Sequence, residues 1–467
     1  MRTETLILAL TAMLAACTSG GGISGGEGTG GGVEEPWTVR ARETPSSEWK
    51  EYKAWTVDRL PGFKAGTEPK TDRYGGWMTG NKYDATGFFR VQKEGLRWYI
   101  VSPEGNPMVS AQVGAFVVGG SARQQQALAA TFGTTARWAA SEMYWLRSKG
   151  FTGVAGSTSV VRGVAERMAY NVFLNPMTAY VRELRKTVKV PDRMPVVFDE
   201  GYSQELLTQL TWLEKYSGDP FCFGVTTDDE LYWTDDMLKI YLTVFPEGNL
   251  NRSKAQEWLD ARKGRSGCTW QDADAADIQC FKAFCLEEYL KKTASAVRQA
   301  APGTMYLGPR FYKWAWELSS REMMEVAGRY VDIVCINHFT KWEPSQEDLA
   351  DWSEWSGRPV MITSFDVKGE DSGLPNTGGL GWIVPTQEDR GRFYENFVIS
   401  LVKSGCCVGW QWYTYMDNDP EDTTADASNK DSNKGIVAWD FSRHEPLVSH
   451  MEVVNKQLYN LTLYFKK

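Results

Sequence analysis

Residues 221–233 read FCFGVTTDDELYW, and this stretch decides the predicted fold. Small and apolar residues fill its first half, as in a strand that is buried on both faces. The run then breaks into acidic residues that include Asp229 and Glu230, followed by Trp233. A buried strand with polar residues at its C-terminal end is typical of a parallel α/β barrel, because the chemistry of such barrels gathers at that end.

Helix-like and strand-like segments alternate on both sides of this stretch. Amphipathic patterns predict helices over residues 136–149, 204–216, 278–301, 321–330, 349–355 and 387–404. Apolar runs predict strands over residues 108–114, 151–156, 221–226, 304–309, 331–337, 358–365 and 407–415. Apolar strands that are each fed by a helix favour a closed parallel barrel over an antiparallel sheet. We therefore predict an α/β fold, a (β/α)8 TIM barrel, over residues 108–467.

The sequence before the barrel is predicted to form three segments. Residues 1–17 are typical of a signal peptide, with a basic start and an apolar run that ends in Leu14-Ala-Ala-Cys17. This ending resembles a bacterial lipobox, which implies that Cys17 carries a lipid; the alternative is an ordinary secretory signal with an incidental cysteine. Residues 18–35 are a Gly/Ser-rich tether. Residues 36–107 are predicted as an N-terminal extension, irregular over most of its length, that ends in a β-hairpin.

These segments predict a cell-envelope lipoprotein, periplasmic or at the outer membrane, that is held to a membrane through its N-terminal lipid. No stretch after Cys17 is apolar and long enough to predict a transmembrane helix. The net charge is −8, and the sequence contains no basic stripe. Nucleic acid is therefore not a predicted partner.

The sequence predicts no cofactor and no metal site. It holds only three His, and it has neither a CxxC pair nor an HExxH motif. An oxidising compartment would permit a disulfide between Cys268 and Cys280, which bracket a polar segment. Buried free thiols are predicted for the cysteines in apolar strand-like runs, which are Cys222, Cys335 and Cys406 or Cys407.

Glu230 is the strongest catalytic candidate. A carboxyl beside aromatic side chains is partly desolvated, so it keeps its proton longer, as a general acid at neutral pH requires. The alternative is a structural ion pair with an Arg of a neighbouring strand. Arg310, at the end of another predicted strand, is expected to point its guanidinium into the barrel mouth.

Aromatic residues are abundant, with 20 Trp, 20 Tyr and 20 Phe. Burial in a large α/β core accounts for most of them. Some tryptophans lie beside polar residues near the predicted strand ends, where a flat ring can stack on a sugar. These are Trp233, Trp342, Trp382, Trp410 and Trp412.

Several segments together resemble clan-A glycoside hydrolases of the agarase-like kind, near family 50. The segments are residues 87–112, 219–233, 306–310, 358–376 and 408–417. Each motif is short, and it is their order and spacing that carry the resemblance. The resemblance implies a (β/α)8 barrel that hydrolyses O-glycosidic bonds.

The resemblance also implies roles for residues at two strand ends. The fourth barrel strand of the family ends in Asn-Glu, whose Glu is the acid/base, and this chain has Asp229-Glu230 there. The seventh strand ends in Thr-Glu-Phe, whose Glu is the nucleophile, and this chain has Ser364 in its place. A retaining glycosidase needs two carboxyls about 5 Å apart, and Ser364 cannot be the second.

Asp366 is the candidate for the missing carboxylate, because side chains at i and i+2 of a strand share a face. It would act as the nucleophile, or as the base of an inverting mechanism with a water above Ser364. The alternative is a structural role, in which Asp366 caps a loop or pairs with Lys368 or Arg310.

Substrate contacts are predicted for Asp229, Trp233, Arg310, His338, Ser364, Trp410 and Trp412. For His338, a core imidazole is an equal alternative. Two functions then remain open. The first is hydrolysis of a polysaccharide or oligosaccharide, with a galactan such as agarose implied by the resemblance. The second is a catalytically inactive relative that binds a glycan through the same cleft, because Ser364 replaces the nucleophile.

Overall fold

The computed structural model describes residues 35–80, 83–312, 320–339 and 341–466. The predicted signal peptide, Cys17 and the predicted tether up to residue 34 lie outside these ranges. Within them, none of the helices combines the length and the apolar character that a membrane crossing needs.

Strands and helices alternate through most of the described chain. The strands are β1 (Trp37–Ala41), β2 (Lys50–Ala54), β3 (Arg90–Glu94), β4 (Arg97–Val101), β5 (Pro107–Met108), β6 (Ser110–Val113), β7 (Gly153–Ala155), β8 (Ala169–Leu174), β9 (Cys222–Asp229), β10 (Met305–Tyr312), β11 (Val334–Asn337), β12 (Val360–Phe365), β13 (Val367–Gly369), β14 (Trp382–Val384) and β15 (Cys407–Trp412). The helices are α1 (Ala122–Thr131), α2 (Thr135–Ser148), α3 (Thr158–Arg162), α4 (Pro176–Leu184), α5 (Glu200–Leu213), α6 (Met237–Thr243), α7 (Leu250–Lys263), α8 (Ala275–Ala300), α9 (Arg321–Tyr330), α10 (Gln346–Ser356), α11 (Gln387–Ser404), α12 (Glu445–Lys456) and α13 (Leu458–Tyr464).

A closed barrel forms the centre of the fold. In the described residues its strands follow the order β6-β7-β8-β9-β10-β11-β12-β15, and each pairs in parallel with its neighbours. All residues of β12 and β15 are buried, as strands covered on both faces require. The predicted (β/α)8 barrel is therefore confirmed. One of its strands, β8, has the sequence AYNVFL and is absent from the predicted strands.

Local capping signals set the helix ends that feed the barrel. At the start of α11, Thr386 Oγ1 accepts a hydrogen bond from the Asp389 amide at 3.1 Å. Gly405 ends the same helix with a φ of 71°, a left-handed conformation that glycine adopts without strain. The chain then passes directly into β15. Both α9 and α11 begin and end at the predicted residues.

The N-terminal extension is more ordered than predicted, since β1 and β2 form an antiparallel pair. This pair joins the barrel domain at two places. Arg42, just after β1, forms a backbone bridge to Ile383 of β14. The amides of Trp55 and Val57 donate to side chains of α11, at 2.8 Å to Asn396 and 2.7 Å to Glu395.

The cysteines of the described residues are all free thiols. The disulfide considered between Cys268 and Cys280 is therefore wrong. Ion pairs hold that segment instead: Arg262 contacts Asp277 at 2.9 Å, and Lys263 contacts the same carboxylate. The cysteines predicted as buried thiols are buried, namely Cys222, Cys335, Cys406 and Cys407.

Candidate active site

A pocket of about 190 Å³ opens at the C-terminal ends of the barrel strands. Its wall is built from residues on or just after seven of the barrel strands, which are Ala115, Ala155, Gly156, Asn171, Phe173, Thr226, Arg310, Thr363, Gln411 and Tyr413. This is the end of a parallel barrel at which ligands bind. We call it the mouth pocket.

Arg310 links the mouth pocket to the acidic end of β9. Its guanidinium donates two hydrogen bonds to Asp229, from Nε at 2.8 Å and from Nη2 at 2.6 Å. The same carboxylate accepts a third from Asn337 Nδ2 at 3.0 Å. Thr363 Oγ1 donates to the side-chain oxygen of Asn337, Oδ1, at 3.0 Å and so fixes the orientation of that side-chain amide. Asp229 therefore fixes the position of the Arg310 guanidinium.

Glu230 follows Asp229 and shares its amide partner. Asn337 Nδ2 donates to Glu230 Oε1 at 2.8 Å, and Arg193 Nη1 lies 3.6 Å from the other carboxylate oxygen. The side chain is 22% exposed, so it reaches solvent while most of it is desolvated. Burial, and then the charge of Asp229, raise the pKa of Glu230 above its ordinary value. A carboxyl in this state is suited to donate a proton.

The backbone at this strand end is strained. Asp228 and Glu230 both adopt left-handed conformations, with φ of 63° and 49°. Such residues cost about 1–3 kcal/mol each and persist where surrounding contacts impose them. Asp228 accepts the amides of Met177 and Thr178, at 3.1 and 2.8 Å, and so caps α4. Burial raises its pKa to about 6.

The end of β12 offers no carboxylate at the position of the family's nucleophile. Ser364 is buried there, and its carbonyl accepts the His338 amide at 2.7 Å. The hydroxyl of Thr363 serves Asn337, as described above. Of the two strand ends that the resemblance singles out, the one after β9 therefore carries a carboxyl, Glu230, and the one at β12 carries Ser364.

Asp366 lies deeper than the sequence suggests. It is 1% exposed, and its carboxylate lies 3.5 Å from Lys434 Nζ. Gly381 covers it so closely that an added Cβ at that residue would stand 2.0 Å from Asp366 Oδ1. Burial raises the pKa of Asp366, while the charge of Lys434 opposes that rise. The considered ion pairs with Lys368 or Arg310 are wrong, since Lys434 makes the ion pair.

Sequence comparison gives two relatives of known activity. Beta-agarase B of Vibrio sp. (strain JT0107) is 24% identical over 295 residues, which are 56% of this chain and 30% of that protein. Beta-agarase A of the same organism is 25% identical over 170 residues, 35% of this chain and 16% of that protein. The chain thus spans less than a third of the length of the curated relatives it matches. No family model matches it.

Solved structures extend the comparison to almost the whole chain. The crystal structure of BpGH50 superposes with a TM-score of 0.81 and 25% identity, over 92% of this chain and 96% of the other. The chain resembles the agarase-like glycoside hydrolases. An exo-beta-agarase has the same fold as this chain at 20% identity, with a TM-score of 0.71 over 85% of this chain and 69% of the other.

Several of the residues predicted to contact substrate do not reach the mouth of the barrel. Trp410 and Trp412 are fully buried, and Trp233 is almost so. The indole of Trp410 donates to the Tyr394 hydroxyl of α11, and that of Trp412 packs edge-on against Phe365. A ring enclosed in this way has no free face for a sugar, so the structure does not support the predicted stacking.

His338 is buried as well, with its ring 5.6 Å from that of Phe397 in an edge-on contact. This position corresponds to the core imidazole that was the alternative to a substrate contact. Of the predicted site residues, Arg310 lines the mouth pocket, Asp229 accepts hydrogen bonds from Arg310, and Glu230 shares the Asn337 amide with Asp229.

Other residues of the mouth have no counterpart among the predicted contacts. Arg193 comes from the segment between α4 and α5, and no motif in that segment announces it. Phe173, the residue before the last of β8, lies 4.8 Å from the Arg310 guanidinium, a cation–π contact. Asn337 ends a predicted strand, and its position at the mouth follows from the rule that the strand ends of a barrel share one cleft, although no role is predicted for it. Groups of three metal-ligating side chains are absent from the described part of the chain.

Proposed function

We propose that this chain hydrolyses O-glycosidic bonds of a polysaccharide, a galactan such as agarose, with Glu230 as the general acid. One observation carries the proposal: a mostly desolvated carboxyl with a raised pKa, Glu230, stands at the barrel mouth, held by Asn337 and Arg193. The names of the two Vibrio relatives supply the substrate.

Glu230 gives its proton to the glycosidic oxygen as the bond to the sugar carbon breaks. Arg310 is held rigidly by two hydrogen bonds to Asp229, so its remaining N–H groups are positioned to bind sugar hydroxyls at the mouth. Phe173, 37% exposed, offers an apolar surface beside it. As the bond breaks, a water attacks the same sugar carbon from the opposite face. Its oxygen keeps one hydrogen as the hydroxyl of the new reducing end, and a base takes the other proton.

Asp366 is proposed as that base, in an inverting reaction that uses the room left by Ser364 for the water. In the described conformation Asp366 is covered by Gly381 and paired with Lys434. Its use therefore requires that the segment around Gly381 moves away when substrate binds.

The test is the release of reducing ends from agarose by the purified domain. Glu230→Gln removes the transferable proton and keeps the hydrogen-bonding shape, so turnover should fall by roughly 10²–10⁴. Glu183→Gln, on the exposed surface of α4, is the matched control and should be without effect. Full activity of Glu230→Gln would contradict the assignment.

A second function is favoured by the same strand end, where Ser364 replaces a carboxylate and Asp366 is covered. It is the binding of a glycan without hydrolysis. Agarose that binds the wild-type chain and releases no reducing ends over long incubation would establish it.

We also propose that the chain is a cell-envelope lipoprotein anchored through Cys17. Support comes from the sequence alone, where an apolar run ends in Leu-Ala-Ala-Cys and a Gly/Ser-rich stretch follows.

A further inference from the structure

We propose that a groove beside the mouth pocket binds sugar residues of the same carbohydrate chain that lie away from the cleaved bond. This inference rests on the proposed function and adds to it a preference for long chains. It also gives the N-terminal extension a part in binding.

The groove has a volume of about 850 Å³ and three walls. The N-terminal extension supplies Tyr52 from β2 and Glu43 from the turn before it. The segment after β11 supplies Phe339 and Trp342, and the segment that leads into β14 supplies further residues. The last of these are Gly379, Leu380, Gly381 and Trp382.

Aromatic rings form the floor of the groove. The rings of Tyr52 and Trp342 are stacked at 5.1 Å, and Trp382 meets Tyr52 edge-on at 4.8 Å. Leu380, 44% exposed, adds an apolar surface. Sugar rings present C–H faces that pack on such surfaces, while their hydroxyls need partners at the edges. Glu43, Lys341 and Glu343 supply charges of both signs along the rim.

The two tryptophans differ in the state of their indole N–H groups. That of Trp342 donates to the Lys53 carbonyl at 2.7 Å. The indole N–H of Trp382 has no hydrogen-bond partner among the described residues, and the side chain is more than nine-tenths buried. A buried donor without an acceptor costs free energy. The nitrogen is not itself exposed to solvent, so a sugar hydroxyl can accept from it only if the side chain shifts when the groove is occupied.

The groove adjoins the proposed catalytic site through Gly381, which lines the groove and covers Asp366. Phe339 lies in it, and its ring is 6.1 Å from Tyr413 of the mouth pocket and 6.4 Å from Tyr312. Burial raises the pKa of Tyr312 to about 12, and the negative charge of Glu230 contributes to that rise. An aromatic path thus leads from the neighbourhood of the acid to the groove. One extended ligand is therefore the occupant that fits both.

The test measures binding rather than turnover, in a Glu230→Gln background that keeps the ligand intact. Calorimetric titrations with agarose oligosaccharides of two to ten sugars give affinity against chain length. We expect affinity to rise once the chain is long enough to enter the groove. Trp382→Phe should then lose about fivefold for long chains only, because it removes one hydrogen bond and keeps the ring. Leu380→Ala, at an exposed position, should act in the same direction.

Trp212→Phe, on the exposed face of α5, is the matched control and should leave every affinity unchanged. Equal affinity for short and long chains, or a Trp382→Phe variant that retains the gain with length, would overturn the groove and leave the proposed function intact. Absence of binding at every length would overturn the inference together with the proposed substrate.

Discussion

At the scale of single residues, the charge of Asp229 raises the pKa of Glu230, the proposed general acid. A general acid works only while it is protonated, so activity should fall as the pH rises through the raised pKa of Glu230. Asp229→Asn removes a negative charge beside Glu230 and frees the positive charge of Arg310. Both changes lower the pKa of Glu230. We expect the alkaline limb of a kcat/KM profile on agarose oligosaccharides to move to lower pH. A limb that stays in place or moves up would contradict this account.

Asp366 and Lys434 allow catalysis to be separated from folding. Asp366→Asn should reduce turnover by roughly 10²–10⁴ if Asp366 is the base. It also leaves a buried lysine without its carboxylate, which lowers the free energy of unfolding. The double variant Asp366→Asn with Lys434→Met removes both charges and should recover stability in a thermal melt, but not turnover. Recovery of turnover in the double variant would show that Asp366 is structural.

The sequence predicts the position of Glu230 at the mouth but not the burial of Asp366, for reasons that lie in local geometry. Glu230 and Arg310 stand at strand ends, where the barrel rule alone predicts their position. The two-residue repeat of a strand places Asp366 on the same face as Ser364. However, β12 ends at Phe365, so the repeat does not extend to Asp366. Trp410 and Trp412 obey that repeat and share a face of β15. The sequence does not say which face that is, and both rings contact Tyr394 or Phe365 on the helix side.

At the scale of elements, His450 of α12 connects two carboxylates of α11. Its Nδ1 contacts Glu395, and its Nε2 lies 3.0 Å from Glu388. Burial lowers the pKa of His450, but Glu395 and Glu388 outweigh it, and the pKa is raised overall. Burial raises the pKa of Glu395 as well. Both groups bind protons more readily in the folded state, so their stabilisation is present at low pH and is lost as the pH rises through the raised values.

We therefore expect the melting temperature of the wild type to fall between about pH 6 and pH 8 more than that of His450→Gln. The variant should be less stable than the wild type at the lower pH, because Glu395 loses its buried partner. Thermal unfolding followed by circular dichroism at both pH values measures the difference. Parallel curves for the two proteins would exclude His450 as the source.

The predictability of elements follows their length and setting. Long amphipathic helices with clear ends, such as α9 and α11, are predicted to the residue. β8 is missed because its six-residue run is interrupted by the polar Asn171. The sequence also shows no clear amphipathic helix before it. The β1–β2 pair is missed although both strands alternate between apolar and polar residues, because each is only five residues long and no longer periodic pattern surrounds it.

At the scale of the whole molecule, the order of βα units is enough to predict a closed barrel even with one strand missing. Seven apolar strands fed by helices leave few other arrangements. The walls of the groove are different, because they unite the N-terminal extension with two segments about 300 and 340 residues further along the chain. Nothing local in those segments indicates that they meet.

The proposed anchoring through Cys17 is tested on the full-length chain. Cys17→Ser should move the protein from the membrane fraction to the soluble fraction, because the Gly/Ser-rich stretch that follows has no apolar surface of its own. Immunoblots of fractionated cells measure the distribution. A variant that stays with the membranes would show that some other contact holds the protein there.

Ser364 also limits what the reaction can yield. A retaining glycosidase holds part of its substrate as a covalent ester, and an added alcohol can intercept that ester to form an alkyl glycoside. A serine hydroxyl cannot take the carboxylate's place in that ester. This chain should therefore give no methyl glycoside from methanol and no initial burst of leaving group, and each cut should produce the opposite anomer. Transglycosylation would become possible only where a carboxylate returns to that position.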